Sequence, residues 1–564
     1  MTLVRRIALA ALTSAPLLAG CDSGGLPERD YYGTLEPFAS EAVYFVVTDR
    51  FVDGDPGNNQ TDQGGPDRGT FDRPITNQDG QVGNIGYQGG DFRGIADNGD
   101  YIAAMGFTAL WLTPIVNNPD EAFTGGLKLG EGIFADNGKT GYHGYWGVNF
   151  FELDEHLPSP GLDFAALTAT LRDDHGLKTV LDIVCNHGSP SYTMPEDQPL
   201  FGELYDSKGT LVADHQNRHP SELDPANPLH AWFNRKPDLA ELSDFDGESE
   251  AVLDYFVAAY LKWIDDGAAA FRVDTIRHLP HSYWKAFSDR IREVHPGFFM
   301  FGESFDYDAA KIATHTYPEN GGVSVLDFPG RKALTDLLEN PGTDFATLIE
   351  PLHLEDGVYQ NPYELMSFYD NHDMPRMNAD DNGFIDAHNW LFTARGIPVI
   401  YYGSEVAFRA GRPEHGGNRD YFGQERVDAA PDHPVHEALT RIANIRRASP
   451  ALQRGLQANL NVSGDTATFF RVYQKDGVNQ TALVMLNKGD KPAAFAVDTW
   501  LSSGDWRDAA SGQKITVSEP GPRIGTTVGA HGVRVLLLDA PNSSPELAEE
   551  LDRLQAAAVR SDRG

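Results

Sequence analysis

Cysteine is almost absent: 564 residues carry only Cys21 and Cys185. Two cannot build the disulfide framework of a small secreted domain, so the fold must stand on its core and on any metal it binds. Cys185 sits in an apolar run and reads as a buried, inert thiol. Basic residues are scarce too, 45 against 82 acidic, leaving a formal charge of −37. Such a surface repels nucleic acid and anionic membrane, which argues against both as partners and favours a neutral substrate. Past the N-terminus no apolar stretch reaches the roughly eighteen residues needed to cross a bilayer. No solenoid-type repeat is present, and no glycine-rich phosphate loop follows the first strand-like run.

What is present begins with a leader. Arg5 and Arg6 precede an apolar stretch over 7–19 and then small residues, the layout of an export signal. Leu17-Leu18-Ala19-Gly20-Cys21 resembles the lipobox of bacterial lipoproteins, and Asp22-Ser23-Gly24-Gly25 follows as the start of a flexible tether. The expectation is a signal over 1–20, a tether over 21–40, and a protein exported and lipid-anchored at the bacterial cell envelope through Cys21, its only link to a membrane. An ordinary signal with an incidental cysteine is the alternative.

From residue 41 to 448 short β-type runs alternate with amphipathic helical stretches. Eight such runs stand out, at 43–48, 108–113, 179–184, 269–274, 298–303, 323–328, 365–370 and 397–402. Eight is the strand number of a closed (β/α)8 TIM barrel, preferred here over a doubly wound open sheet. The barrel is expected over 41–185 and 244–448, with an inserted domain over 186–243 after strand three. Past Pro450 the pattern turns to alternation without long helices, predicting an antiparallel β-sandwich over 449–540 and a tail over 541–564 in which 544–560 form a polar helix.

Asp182, Asp274, Glu303 and Asp373 fall at the ends of these runs, and the active face of such a barrel is the C-terminal end of its strands. Glu303 follows Asp274 by 29 residues, one β/α unit, and Asp373 follows Glu303 by 70, about two. Glycoside hydrolysis needs one ionised carboxylate to attack and one protonated carboxyl to release the leaving oxygen. Arg272, two residues before Asp274, shares its strand face and can keep it ionised. The apolar run before Glu303 would raise that acid's pKa.

Asp182-Ile183-Val184-Cys185-Asn186-His187, Phe271-Arg272-Val273-Asp274-Thr275-Ile276-Arg277-His278, Phe299-Met300-Phe301-Gly302-Glu303 and Phe368-Tyr369-Asp370-Asn371-His372-Asp373 resemble, in order, the four signature regions of the α-amylase superfamily. Tyr142-His143-Gly144-Tyr145-Trp146 is similar to a further segment. The resemblance implies Asp274 as nucleophile, Glu303 as acid/base and Asp373 on the sugar 2- and 3-hydroxyls. It also implies His187 and His372 in the cleavage subsite, His143 on the 6-hydroxyl, Tyr145 stacked on the sugar, and Phe305 on the acceptor side. Three departures stand out: Arg277 where many members have lysine, Ala270 for a common glycine, and Glu241 for an aspartate in Leu239-Ala240-Glu241-Leu242.

Asp53-Gly54-Asp55-Pro56-Gly57-Asn58-Asn59 gathers the hard oxygen donors that Ca²⁺ prefers, without the spacing of an EF-hand. It resembles the first calcium loop of cyclodextrin glucanotransferases, which implies Gly89 and Asp91 as further ligands. A second site would use Asn186, Glu241 and the carbonyl of His278. The expected function is retaining hydrolysis of α-1,4 bonds in starch-type glucans, maltooligosaccharides or cyclodextrins. A glucanotransferase is the alternative, and a glucan-binding barrel the non-enzymatic one. Against cyclisation stand Pro237, where those transferases carry an aromatic that the glucan wraps around, and a chain that stops soon after one sandwich.

Overall fold

The protein is described by a computed structural model over residues 31–76, 80–127 and 137–558. The leader, Cys21 and residues 559–564 lie outside the described residues. Eight parallel strands build the barrel: β1 Val43–Val46, β2 Ala109–Leu112, β3 Lys178–Ile183, β4 Ala268–Val273, β5 Phe299–Gly302, β6 Ser324–Val325, β7 Met366–Ser367 and β8 Ile397–Tyr401. They pair in the order β6-β5-β4-β3-β2-β1-β8-β7, and the bridge Leu326–Met366 joins the two ends. Every residue of β1 and β8 is buried, as a parallel sheet covered by helices requires.

β6 and β7 are shorter than their sequence runs because polar groups claim the backbone beyond them. Asp327 N makes the last bond to β7, at Met366 O, 2.9 Å, while its side chain caps the next helix, Oδ1 accepting from Gly330 N at 2.9 Å. Asp370 turns inward, accepting from Met377 N at 2.6 Å and from Ser404 Oγ at 2.8 Å. Inside the barrel Phe45 stacks on Trp111 at 3.8 Å, and Trp111 meets Phe301 edge-on at 5.5 Å, an aromatic floor under the active face.

Between β3 and the helix Glu250–Asp265 the chain leaves the barrel. His187–Pro190 pairs with Leu242–Asp244, and Glu203–Tyr205 with Leu211–Asp214. After the last barrel helix, Pro434–Arg447, six antiparallel strands form one sheet, and Ala493–Val497 with Ile524–Val528 form a second. Buried Arg471 of this region donates to the carbonyl of Thr393 at 2.8 Å, tying sandwich and barrel base together, while buried Arg446 of the last barrel helix donates to that of Gly396 at 3.0 Å.

Two sequence expectations are corrected. Residues 31–40 belong to the folded body rather than to a tether: Tyr32 bridges Gln474, Thr34 N donates to Arg454 O at 2.9 Å, and Phe38 stacks on Phe299 at 4.4 Å. Phe38 thereby fills the barrel's lower end. The helix expected over 544–560 forms at Pro545–Ala558, but it is amphipathic rather than polar, burying Leu547, Leu551 and Leu554 at i, i+4, i+7 spacing. Among the described residues no helix is long and apolar enough to cross a membrane.

Candidate active site

The barrel's own hydrogen bonds position the acids. Asp274 N donates to Ile183 O at 2.9 Å and Glu303 N to Val273 O at 2.8 Å, so both residues form the next rung above their strands. Between them lies Arg272, fully buried. Its Nη1 donates to Asp182 Oδ1 at 2.9 Å and Asp274 Oδ1 at 2.8 Å, and its Nη2 stands 2.9 Å from Glu303 Oε2. Asp182 also accepts from Trp111 Nε1 at 3.0 Å and Tyr145 OH at 2.8 Å.

One guanidinium thus faces three carboxyls in a site that water barely reaches. Burial pushes Asp182 up to about 7 and Glu303 up to about 8, against the pull of Arg272 and helped by the neighbouring acids. Glu303 therefore carries its proton at neutral pH, as an acid catalyst must.

Asp373 faces the same cleft from beyond β7. Its Oδ1 lies 2.6 Å from Arg419 Nη2, its Oδ2 3.2 Å from His372 Nε2, and its backbone N donates to Asn371 Oδ1 at 3.0 Å. Burial pushes Asp373 up to about 6, with Arg419 opposing. Arg419 shares Nη2 with Glu414 at 2.9 Å; burial opposes ionisation of Glu414, but Arg419, His415 and Lys139 outweigh it and bring it down to about 2.

Tyr145 stacks over His372 at 5.4 Å and 11°, and its N donates to His143 Nδ1 at 3.1 Å. Burial holds His143, His187 and His372 below the usual histidine range, so all three are neutral donors rather than competing cations. On the far side of Glu303, exposed Arg277 donates to the carbonyl of Phe305, and His278 Nδ1 pairs with Asp238 Oδ2 at 2.7 Å.

Sequence reasoning missed Arg419 as the partner of Asp373 and Glu414 as the second acid on Arg419, and left Asp182 without a partner. Arg419 sits in an irregular loop after β8 whose only signal is Gly416-Gly417, Gly417 taking φ 111°.

The first candidate metal loop fits a hard cation. Asp53 Oδ1, Asn58 Oδ1 and Asn59 Oδ1 are buried without hydrogen-bond partners. Gly89, at φ 92°, lies so close that a Cβ would come within 2.6 Å of Asn59 Oδ1 and 2.8 Å of Asp53 Oδ2. Asp91 is fully buried and largely committed to the protein, accepting from Gly94 N at 2.6 Å, Asp55 N at 2.8 Å and Gly54 N at 3.1 Å. Asp55 caps its own turn, accepting from Gly57 N at 3.0 Å. At the second candidate site the two polar side-chain atoms of Asn186 are buried and unpartnered, but its acidic neighbour is Asp244, pushed up to about 7 by burial. The carboxylate of Glu241 instead faces Gly126, where a Cβ would lie 3.5 Å from it. Glu241 is the longer acid where aspartate was expected.

Comparison with known proteins agrees with this geometry. The profile described as "Alpha amylase, catalytic domain" matches residues 45–433. A cyclomaltodextrin glucanotransferase of Klebsiella oxytoca is 28% identical over 543 residues, covering 87% of this chain and 76% of that one. One of Bacillus licheniformis is 27% identical, covering 90% and 69%. Among solved structures, an Anoxybacillus α-amylase superposes with TM-score 0.67 at 26% identity, covering 90% of this chain and 99% of that one. A cyclomaltodextrin glucanotransferase with a three-domain ABC distribution superposes with TM-score 0.71 at 28% identity, covering 89% and 99%. Since a transferase of that kind can have three domains, the domain count read from the sequence does not separate hydrolase from transferase. With a family profile spanning most of the barrel and the acids gathered at its C-terminal face, the chain belongs to the α-amylase family.

Proposed function

We propose that this protein hydrolyses α-1,4-glucosidic bonds of starch-type glucans with retention of the α configuration. One observation carries the reading: Arg272 grips Asp274 and Glu303 with its two nitrogens, at 2.8 and 2.9 Å. Carboxyls held by one guanidinium are close neighbours, which favours double displacement over the wider spacing that leaves room for water. Asp274 attacks the anomeric carbon, the bond to the leaving oxygen breaks, and Glu303 gives that oxygen its proton. Glu303 then takes a proton from water as the water displaces Asp274. Asp373, fixed by Arg419, binds the neighbouring hydroxyls, and Tyr145 covers the apolar face of the ring.

Hydrolysis is favoured over cyclisation by Pro237, which is exposed next to Asp238, the partner of His278. No broad ring stands at that position to guide a circular glucan. Incubation with starch, maltotetraose and cyclodextrin, with products read by mass spectrometry and anomers by NMR, tests both parts. Linear α-maltooligosaccharides are expected; mainly cyclic products would move the reading to a transferase, and β-anomers would overturn the mechanism.

The proposal extends to a structural Ca²⁺ held by Asp53, Asn58, Asn59 and the backbone at Gly89, which would brace the loop after β1. It extends also to export and lipidation at Cys21, supported by the leader and the lipobox-like run. Acyl modification of the mature N-terminus, lost in Cys21→Ser, tests the latter.

A further inference from the structure

Gly302 stands where β5 ends, one residue before Glu303, and pairs with Val273, one residue before Asp274. It does not take a left-handed φ, so its backbone alone does not call for glycine. What calls for it is a neighbour. A Cβ at this position would lie 2.5 Å from Ile276 Cδ1, 2.8 Å from its Cγ2 and 2.9 Å from its Cβ. Ile276 is fully buried, and a clash at the branched root of its side chain leaves nothing flexible to yield.

Ile276 reaches that notch through a strained turn. Thr275 takes φ 47° and ψ 34°, a left-handed conformation that β-branched residues rarely adopt. Among the described non-glycine residues at positive φ, only Thr193 shares that branching. The Thr275 hydroxyl is buried without a partner, so it does not hold the turn. The surroundings do: Asp274 N donates to Ile183 O at 2.9 Å, His278 N to Thr275 O at 2.9 Å, and buried Trp284 Nε1 to Ile276 O at 2.7 Å. A strained residue fixed from outside, next to a reacting group, marks a place where the fold gives up stability for geometry.

We infer that Ile276 is a positioning residue for the cleavage: the left-handed turn at Thr275 seats it against Gly302, and this contact sets the spacing and aim of Asp274 relative to Glu303. Arg272 ties the two carboxyls by charge, whereas Ile276 ties the two backbones that carry them. The inference rests on the glucan-cleaving reading above. The separation of the two carboxyls decides between direct attack and attack through water, so whatever fixes their backbones bears on the mechanism. Small errors are costly, since a misplacement of about 1 Å lowers turnover on the order of a hundredfold.

The test measures kcat, KM and the pH profile of the full chain on maltoheptaose. Gly302→Ala should lower kcat roughly tenfold or more with KM within about twofold, because the added methyl drives Ile276 and the segment carrying Asp274 away from Glu303. Adding Ile276→Ala removes the collision. That double variant should recover kcat to within about threefold of the unaltered chain, a non-additivity that two independent losses would not show. Ile276→Val, which removes only Cδ1, and Thr275→Gly, which frees the turn, should each lower kcat and move the alkaline limb of the profile in a folded protein, a shift that a merely structural role would not produce. Full turnover in Gly302→Ala, or a double variant no better than it, would overturn the inference while leaving hydrolysis standing. Should either Gly302 variant not fold, unchanged kcat and an unmoved alkaline limb in Ile276→Val and Thr275→Gly would overturn it equally. Failure of the unaltered chain to cleave any α-glucan would instead remove the functional reading beneath it.

Discussion

Arg419 reaches from the loop after β8 to place Nη2 2.6 Å from Asp373 Oδ1, while its Nε donates to His372 O at 2.9 Å. The fork therefore fixes both the third carboxylate and the backbone before it. Arg419→Met leaves Asp373 without its cation and should lower kcat/KM tenfold or more, since about 1.4 kcal/mol of lost positioning suffices. Arg419→Lys keeps the charge but not the fork and should recover only part. Full activity in both variants would show that Asp373 is positioned without it.

Asp274→Asn and Glu303→Gln each remove one half of the displacement. Both should fold with unchanged circular dichroism and lose roughly 10³ or more in kcat. A folded Asp274→Asn with near-normal turnover would remove the nucleophile assignment.

In the proposed reaction Glu303 must be protonated to release the leaving group, and burial lifts it to about 8. The alkaline limb of kcat/KM should therefore fall near pH 8, activity declining as Glu303 loses its proton. For stability the sign is the same: a carboxyl raised above its unfolded value of 4.5 stabilises the fold at low pH, and that contribution fades as pH climbs towards 8. A limb near pH 5 would contradict the assignment.

Calcium at a hundred times its Kd would contribute about 2.7 kcal/mol to stability. Chelation should lower Tm, and Gly89→Ala should abolish the difference between chelated and calcium-loaded protein, since its Cβ would crowd Asn59 and Asp53. A calcium effect that survives Gly89→Ala would place the ion elsewhere.

His531 of the sandwich bonds Asp386 on a barrel helix at 2.8 Å and Asp490 at 3.1 Å. Burial works against protonation of His531, but the two acids outweigh it and raise its pKa; burial raises Asp386 to about 7, with His531 itself and then Lys488 opposing and Asp380 adding. Both shifts mean that the native state holds more protons than the unfolded chain, so stability should fall as pH rises through about 7. The drop in Tm between pH 6 and 8.5 should be smaller in His531→Ala; an identical drop would show that the clamp does not titrate.

The barrel was legible because parallel strands buried on both faces write continuous apolar runs, and because acids at regular intervals mark their C-terminal ends. β6 and β7 were overestimated since the apolar runs continue to Asp327 and Asp370; only the fold reveals those acids bonding the segments that follow. Arg272 was readable from its place two residues before Asp274. Arg419 was not, because an irregular loop has no period and its partner lies 46 positions away. The approach of Glu241 to Gly126 was equally invisible: composition names a carboxylate but not where its side chain points.

The entry of the chain at residues 31–40 has a consequence for how the molecule would stand in a cell envelope. Phe38 closes the end of the barrel opposite the strand termini that carry Asp274 and Glu303. Ten Cα–Cα steps lead from Cys21 to Tyr31, a leash of at most about 36 Å. A lipid at Cys21 would therefore moor the protein by its underside, with the cleft turned outward to meet polymers too large to slip beneath it.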